Sequence, residues 1–85
     1  MSTSYTVTLP SLGDDADAVS GATVAFWLAE VGAMLKPGDD LLEINTDKAA
    51  FVVPCPVGGV LRELLVGEED AVHVGDALAV IEQES

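Results

Sequence analysis

Short apolar stretches alternate with polar turns along the whole chain, and this alternation predicts strands. Tyr5–Leu9 shows it most clearly, because every second residue is apolar and Pro10 ends the stretch. Glycine and proline recur at short intervals, and the residues between them are rich in Val, Leu, Ile, Thr and Phe. We predict strands over Tyr5–Leu9, Thr23–Leu28, Leu41–Thr46, Ala49–Val53, Val60–Val66, Ala71–Val74 and Ala77–Glu82.

The segment 22–35 is ambiguous, because four of its apolar residues have the spacing of a helix face. They are Val24, Leu28, Val31 and Leu35. Thr-Val and Phe-Trp pairs favour a strand, since β-branched and aromatic side chains lose rotamer freedom in a helix. Gly32 weakens a helix further. We therefore predict a strand here and an all-β protein.

The chain contains an internal repeat, which appears when the sequence is shifted by 37 residues against itself. Six identities align without a gap: Gly21, Leu28, Gly38, Asp39, Leu41 and Ile44 fall on Gly58, Leu65, Gly75, Asp76, Leu78 and Ile81. Val24, Trp27 and Leu35 also fall on apolar Leu61, Leu64 and Val72. The repeat predicts two similar sheets related by an approximate two-fold axis, in a flattened barrel or sandwich. It also predicts equivalent turns, with positive φ, at Gly38 and Gly75.

The two halves of the repeat meet at a predicted hairpin whose tip is Asp47-Lys48. This pair is a poor match for a two-residue turn, which prefers residues that tolerate positive φ. A broken local rule indicates a functional position. Lys48 is flanked by an acid and small residues, so its amine is accessible to another enzyme. The residues alone leave two interpretations open, an acceptor amine and a solvated turn lysine without a function. The turn Lys36-Pro37-Gly38-Asp39, by contrast, explains Lys36 on structural grounds.

Length and charge restrict the classes of function. Eighty-five residues suffice for a single domain, 1–85, with little room for a catalytic cleft. The net charge of −12 repels phosphate backbones and anionic lipid, so nucleic acid and membranes are not expected partners. The many acidic residues either keep the protein soluble or steer it toward basic partners, and the sequence leaves both explanations open. Without a secretory signal, we expect a cytoplasmic protein, or a mitochondrial-matrix protein whose targeting segment was removed.

Four other conspicuous side chains have structural explanations. We expect Phe26 and Trp27 to be packing residues. His73 has no second metal ligand or nucleophile at a useful spacing, so metal binding or acid–base chemistry is not expected there. Cys55, the single cysteine, cannot form an internal disulfide and is expected to pack in the core.

A stretch around Lys48 resembles a known family. Leu42-Glu43-Ile44-Asn45-Thr46-Asp47-Lys48-Ala49 is similar to the Leu-Glu-x-x-Thr-Asp-Lys-Ala motif around the modified lysine of lipoyl domains in 2-oxo acid dehydrogenase acyltransferases. Leu9-Pro10-Ser11-Leu12-Gly13, Lys36-Pro37-Gly38-Asp39, the segment 54–60 and the segment 74–78 also resemble that family. The resemblance covers nearly the whole chain.

The resemblance implies a fold and a mechanism. The fold is a flattened β-barrel, or barrel-sandwich hybrid, of two four-stranded antiparallel sheets. A lipoate ligase or lipoyl transferase joins lipoic acid to Lys48, and the resulting arm is reductively acylated by the thiamine-diphosphate-dependent first component of the complex. The acyl group passes to coenzyme A at the acyltransferase core, and dihydrolipoamide dehydrogenase reoxidises the arm. The domain itself is non-catalytic, since the cofactor supplies the chemistry.

The resemblance also implies which residues partners recognise. Thr46, Asp47 and Ala49 flank the lysine. Asp14, Asp15 and Asp17 belong to the loop Ser11–Ser20, which contributes to recognition by the first component in the family. Here this loop is slightly longer and more acidic than the common Gly-Glu-Ser-x-x-Glu-Gly form.

Two alternatives remain open from the sequence. One is a biotinyl carrier domain, although such domains usually have methionine on both sides of the lysine and this chain has Asp47 and Ala49. The other is an unmodified barrel-sandwich interaction module. The sequence does not identify the complex, whether for pyruvate, 2-oxoglutarate, a branched-chain acid or acetoin. The polar residues 83–85 are a candidate start of a linker.

Overall fold

The computed structural model describes residues 2–10 and 21–84, and their regular structure consists of eight strands. The strands are β1 (Ser2–Thr8), β2 (Gly21–Trp27), β3 (Met34–Leu35), β4 (Asp40–Asn45), β5 (Ala50–Pro54), β6 (Gly59–Leu64), β7 (Ala71–His73) and β8 (Ala77–Glu84). The described residues contain no helix, and hence none that is long and apolar enough to cross a bilayer.

The strands form two four-stranded antiparallel sheets. The first has the order β1-β8-β6-β3 and is called the terminal sheet, because it contains the first and last strands. The second has the order β5-β4-β2-β7 and is called the hairpin sheet, because β4 and β5 form the predicted hairpin. The predicted fold class, all-β with two four-stranded sheets, is confirmed.

The two-fold repeat extends to individual hydrogen bonds. Gly32 N–H donates to Leu61 O over 2.7 Å, and the equivalent Glu69 N–H donates to Val24 O over 2.8 Å. The irregularities recur as well: β2 and β4 shift register between Val24 and Phe26, and β6 and β8 shift between Leu61 and Glu63. Strand β1 lies beside β8 at the edge of the terminal sheet, and β5 occupies the equivalent edge position beside β4 in the hairpin sheet. The two halves therefore share a backbone plan.

A single hydrophobic core lies between the sheets, built from alternate residues of the strands. Its buried members are Val7, Leu9, Val24, Leu35, Leu41, Leu42, Ile44, Val53, Cys55, Leu61, Val72, Leu78, Ala79 and Ile81. The described residues have no buried polar or charged side chain. The expectation that Cys55 packs in the core is confirmed; its thiol donates to Val57 O over 2.9 Å.

Strand ends shift by up to three residues from the predicted bounds, and three further features differ from the prediction. The two-residue strand β3 was missed, because two residues are too few to show a period. Strand β8 continues two residues beyond the predicted Glu82, through Gln83 and Glu84, which pair with Thr3 and Ser2. Phe26 was expected to pack but is 42% exposed; the register shift beside it turns its side chain outward.

Candidate functional site: the Lys48 hairpin

Lys48 lies at the tip of the hairpin that joins β4 to β5. The last pair of the ladder is Asn45 with Ala50, and beyond it Thr46 N–H donates to Ala49 O over 2.8 Å. Asp47 and Lys48 are therefore the two tip residues, as the sequence predicted.

The side chain of Thr46 closes this turn. Its hydroxyl oxygen accepts N–H groups from Lys48 over 3.1 Å and from Ala49 over 3.0 Å, and the hydroxyl donates to Ala49 O over 3.0 Å. Among the described residues, Glu69 is the one non-glycine residue with positive φ. Asp47 and Lys48 thus do not adopt the backbone that Asn-Gly turns use, and the poor match of Asp-Lys to that turn is explained by the Thr46 hydroxyl.

The surroundings of Lys48 suit an acceptor amine. Asp47, Lys48, Ala49 and Ala50 are all exposed, and the two alanines that follow the lysine add little bulk. Lys36 is also exposed, but its turn is closed by Asp39, whose carboxylate accepts the Lys36 N–H over 2.9 Å. Lys48 differs from Lys36 because it lies at the tip of a hairpin between two paired strands.

A groove of about 520 Å³ opens beside the hairpin tip. The hairpin contributes Asn45, Thr46 and Asp47, while β2 contributes residues 21–23 and β7 contributes residues 71–73. A Cβ atom at position 21 would lie 3.2 Å from Cδ2 of His73, so Gly21 leaves room for the imidazole. The hairpin tip and this recess form one continuous surface.

The electrostatic field at the site is negative. The chain has three Lys and Arg residues against fifteen acids, and Arg62 is paired with Glu82 on the terminal sheet. Near the tip, Asp47 lines the groove, and the exposed run Glu68-Glu69-Asp70 leads into β7. Amide formation at Lys48 would remove one positive charge and make the field more negative.

The structure groups some of the predicted site residues and adds others. Thr46, Asp47, Lys48 and Ala49 share the tip, whereas Asp14, Asp15 and Asp17 lie outside the described residues. His73 lines the groove, although the sequence predicted no chemical role for it. Its position became predictable only with the pairing of Gly21 and His73 between β2 and β7. Within 2–10 and 21–84, no three His, Cys, Asp or Glu side chains are grouped to hold a metal ion.

A family model that matches most of the chain shows the class of protein, a carrier domain for an attached cofactor. The family model described as "Biotin-requiring enzyme", for biotin and lipoyl attachment, matches residues 5–81. The chain therefore belongs to the biotin/lipoyl attachment family.

Curated relatives are acyltransferases of dehydrogenase complexes. The chain is 38% identical over 77 residues to the dihydrolipoyllysine-residue acetyltransferase component of the Corynebacterium glutamicum pyruvate dehydrogenase complex, covering 91% of this chain and 11% of that protein. It is 41% identical over 66 residues to the succinyltransferase component of the 2-oxoglutarate dehydrogenase complex of Staphylococcus saprophyticus, covering 78% and 16%. The chain thus spans less than a fifth of the length of these two relatives.

Solved structures share the fold. The lipoyl domain of the Azotobacter vinelandii 2-oxoglutarate dehydrogenase complex matches with a TM-score of 0.67 and 26% identity, covering 94% of this chain and 96% of that one. Kluyveromyces lactis urea carboxylase matches with a TM-score of 0.76 and 23% identity, covering 93% of this chain and 6% of that one. The second likeness concerns the fold alone.

Proposed function

We propose that this chain is a lipoyl carrier domain in which lipoic acid is joined by an amide bond to Nζ of Lys48. The observation that carries the proposal is the position of Lys48, exposed at a two-residue tip between Asp47 and Ala49. The similarity to dihydrolipoyllysine-residue acyltransferases over most of the chain supports lipoate as the group attached.

The residues present at the tip fit such a group. An amide at Nζ leaves the backbone hydrogen bonds of the tip intact, because these involve Thr46 and the main chain. The adjacent alanines do not crowd an attached chain. When bound, lipoate supplies a dithiolane that carries acyl groups and electrons between active sites.

The protein's own contribution is presentation and recognition. The hairpin holds Lys48 at its exposed tip, and tethering gives the arm a high effective concentration at each partner's active site without tight binding. Asp47, Ala49 and the groove beside them form the surface that a partner meets next to the arm. We assign no catalytic step to the domain.

The proposed partners are the components of a 2-oxo acid dehydrogenase complex. They are the thiamine-diphosphate-dependent first component, the acyltransferase core, dihydrolipoamide dehydrogenase and the lipoate ligase or lipoyl transferase. The relatives belong to pyruvate, 2-oxoglutarate and acetoin systems, so the similarity does not select one substrate. We place this function in the cytoplasm or the mitochondrial matrix.

A biotinyl carrier is the second candidate, because the matching family includes biotin-requiring enzymes. The family match does not separate the two, since one family model covers both biotin and lipoyl attachment. The residues on either side of Lys48, Asp47 and Ala49, resemble the lipoyl motif.

Intact mass spectrometry tests both candidates. We expect the protein, after incubation with lipoate ligase, lipoate and ATP, to gain the mass of one lipoyl group, and Lys48→Arg to gain none. The matched control is Lys36→Arg, which should be modified as fully as the wild type. Modification that persists in Lys48→Arg contradicts the assignment of the site. Modification by biotin ligase and not by lipoate ligase contradicts lipoate as the cofactor and assigns biotin instead.

A further inference from the structure

We infer that Thr46 is the positioning residue for lipoylation of Lys48, the reaction that joins lipoate to Nζ, because its hydroxyl fixes the hairpin tip that carries this lysine. The inference rests on the proposed function. It gives Thr46 a role in ordering the acceptor, where the sequence motif indicated only a place beside the modified lysine.

The hydroxyl of Thr46 is fully engaged within the tip. It accepts two N–H groups, from Lys48 at 3.1 Å and Ala49 at 3.0 Å, and donates to Ala49 O at 3.0 Å. A hydroxyl has one donor hydrogen and two acceptor lone pairs, so these three bonds use its whole capacity. The backbone of the modified residue is thus held directly by this side chain.

The tip depends on these bonds more than an ordinary hairpin would. Two-residue hairpin turns usually have residues with positive φ at the tip, and neither Asp47 nor Lys48 has a positive φ. Without the hydroxyl, the Lys48 and Ala49 N–H groups have water as their alternative partner, because both residues are exposed. The tip would then sample several conformations.

The fold itself does not require this hydroxyl. The repeat places Gln83 at the position equivalent to Thr46, and Gln83 lies in regular β8 opposite Thr3. The buried core lies between the sheets and does not include the tip. Loss of the hydroxyl should therefore disorder the tip and leave the barrel folded.

The rate of Lys48 lipoylation should depend on how well the hairpin tip is ordered. The lone pair of Nζ attacks the carbonyl carbon of lipoyl-adenylate. The bond from that carbon to the phosphate oxygen breaks, its electron pair leaves with AMP, and the proton lost from Nζ passes to solvent. The ligase gains rate when the attacking atom is already aligned, and misplacement by about 1 Å can cost as much as 100-fold. Binding of the barrel surface, by contrast, should change little.

The test compares Thr46→Val, which has a similar shape without the hydroxyl, with Thr46→Ser, which keeps it. The matched control is Thr6→Val, an exposed threonine paired with Val80 on the terminal sheet and outside the groove. Lipoate ligase kinetics are followed by intact mass, and amide hydrogen exchange of Lys48 and Ala49 is followed by NMR.

We expect Thr46→Val to lower kcat about ten-fold or more while KM changes less than about two-fold, the pattern of a lost alignment. The Lys48 and Ala49 amides should exchange faster in that variant. Thr46→Ser and Thr6→Val should behave as wild type.

Three results would overturn the inference alone: a wild-type kcat in Thr46→Val, unchanged exchange of the two amides, or global unfolding of Thr46→Val with retained folding of Thr46→Ser. The last would make the hydroxyl a group required by the fold. An unmodified wild-type protein would overturn the proposed function as well, and so the two failures are distinguishable.

Discussion

Gly59 lies where two strands approach too closely for any side chain. A Cβ atom there would be 2.3 Å from the carbonyl oxygen of Glu82 and 2.8 Å from Cγ2 of Ile81. Gly38 and Gly75 need glycine for another reason: their φ angles are 94° and 93°, and a Cβ atom at either position would meet nothing within 4 Å. The predicted positive φ at these equivalent turns is confirmed.

Alanine substitutions separate these two constraints. We expect Gly38→Ala and Gly75→Ala each to lower the free energy of unfolding by about 1 kcal/mol through backbone strain alone. Gly59→Ala should cost more, about 3 kcal/mol, because backbone atoms must also move. Urea unfolding measures all three, with Gly67→Ala as the control, since its Cβ would lie 3.8 Å from Asp70 Oδ2. Equal losses at positions 38 and 59 would show that the close approach is absent.

At the scale of the elements, Trp27 links the two sheets. It lies in β2 of the hairpin sheet, and its Nε1–H donates to the carbonyl oxygen of Val66, just after β6 of the terminal sheet, over 3.0 Å. The equivalent residue in the repeat is Leu64, which has no such donor. This bond therefore belongs to one half of an otherwise two-fold arrangement.

Trp27→Phe should lower the free energy of unfolding by about 1–3 kcal/mol, because the Val66 carbonyl loses its partner. Phe26→Leu is the control and should change stability by less than about 0.5 kcal/mol, since Phe26 is on the outer surface. Unfolding is followed by circular dichroism, because Trp27 is the only tryptophan and the Trp27→Phe variant has no tryptophan fluorescence to follow. A Trp27→Phe variant as stable as Phe26→Leu would argue against the link.

At the scale of the whole molecule, the charge of −12 should affect how fast partners meet the arm. Acidic groups near an attachment site can steer a domain toward a basic active-site entrance, and this acts mainly on the association rate. Lipoylation needs the lysine tip, whereas reductive acylation also needs recognition of the protein around it. The two reactions should therefore respond differently to charge.

We expect neutralisation of Asp14, Asp15 and Asp17 to Asn, and separately Asp47→Ala, to leave lipoylation largely intact. Both should slow reductive acylation by the cognate first component, by a factor of about ten for the triple variant at low ionic strength. The rate is measured on fully lipoylated protein at low and high salt.

The control for charge neutralises Glu30, Asp40 and Glu63, three exposed acids away from the tip. It changes the net charge by the same amount. If both triple variants match the wild type at both salt concentrations, the acid is a solvated surface and does not steer.

Local patterns in the sequence determined the strands, the repeat and the tip. Tyr5–Leu9 alternates because one face of β1 packs on the core, and the glycines at 38 and 75 mark turns because few other residues adopt their φ. These are properties of neighbouring residues, so they could be read without a structure. The candidate lysine followed from the same local reasoning and from the motif around it.

Tertiary structure decided the features that depend on contacts between distant residues. Strand β3 exists because Met34 and Leu35 pair with Val60 and Gly59, and His73 reaches the groove because β7 pairs with β2. The outward position of Phe26 depends on a register shift that strand periodicity does not reveal. The role proposed for the Thr46 hydroxyl could be recognised only from the backbone angles of the tip. Strand registers and backbone angles are set when the two sheets pack, which is why the sequence alone determined the elements and the lysine but not the surface around it.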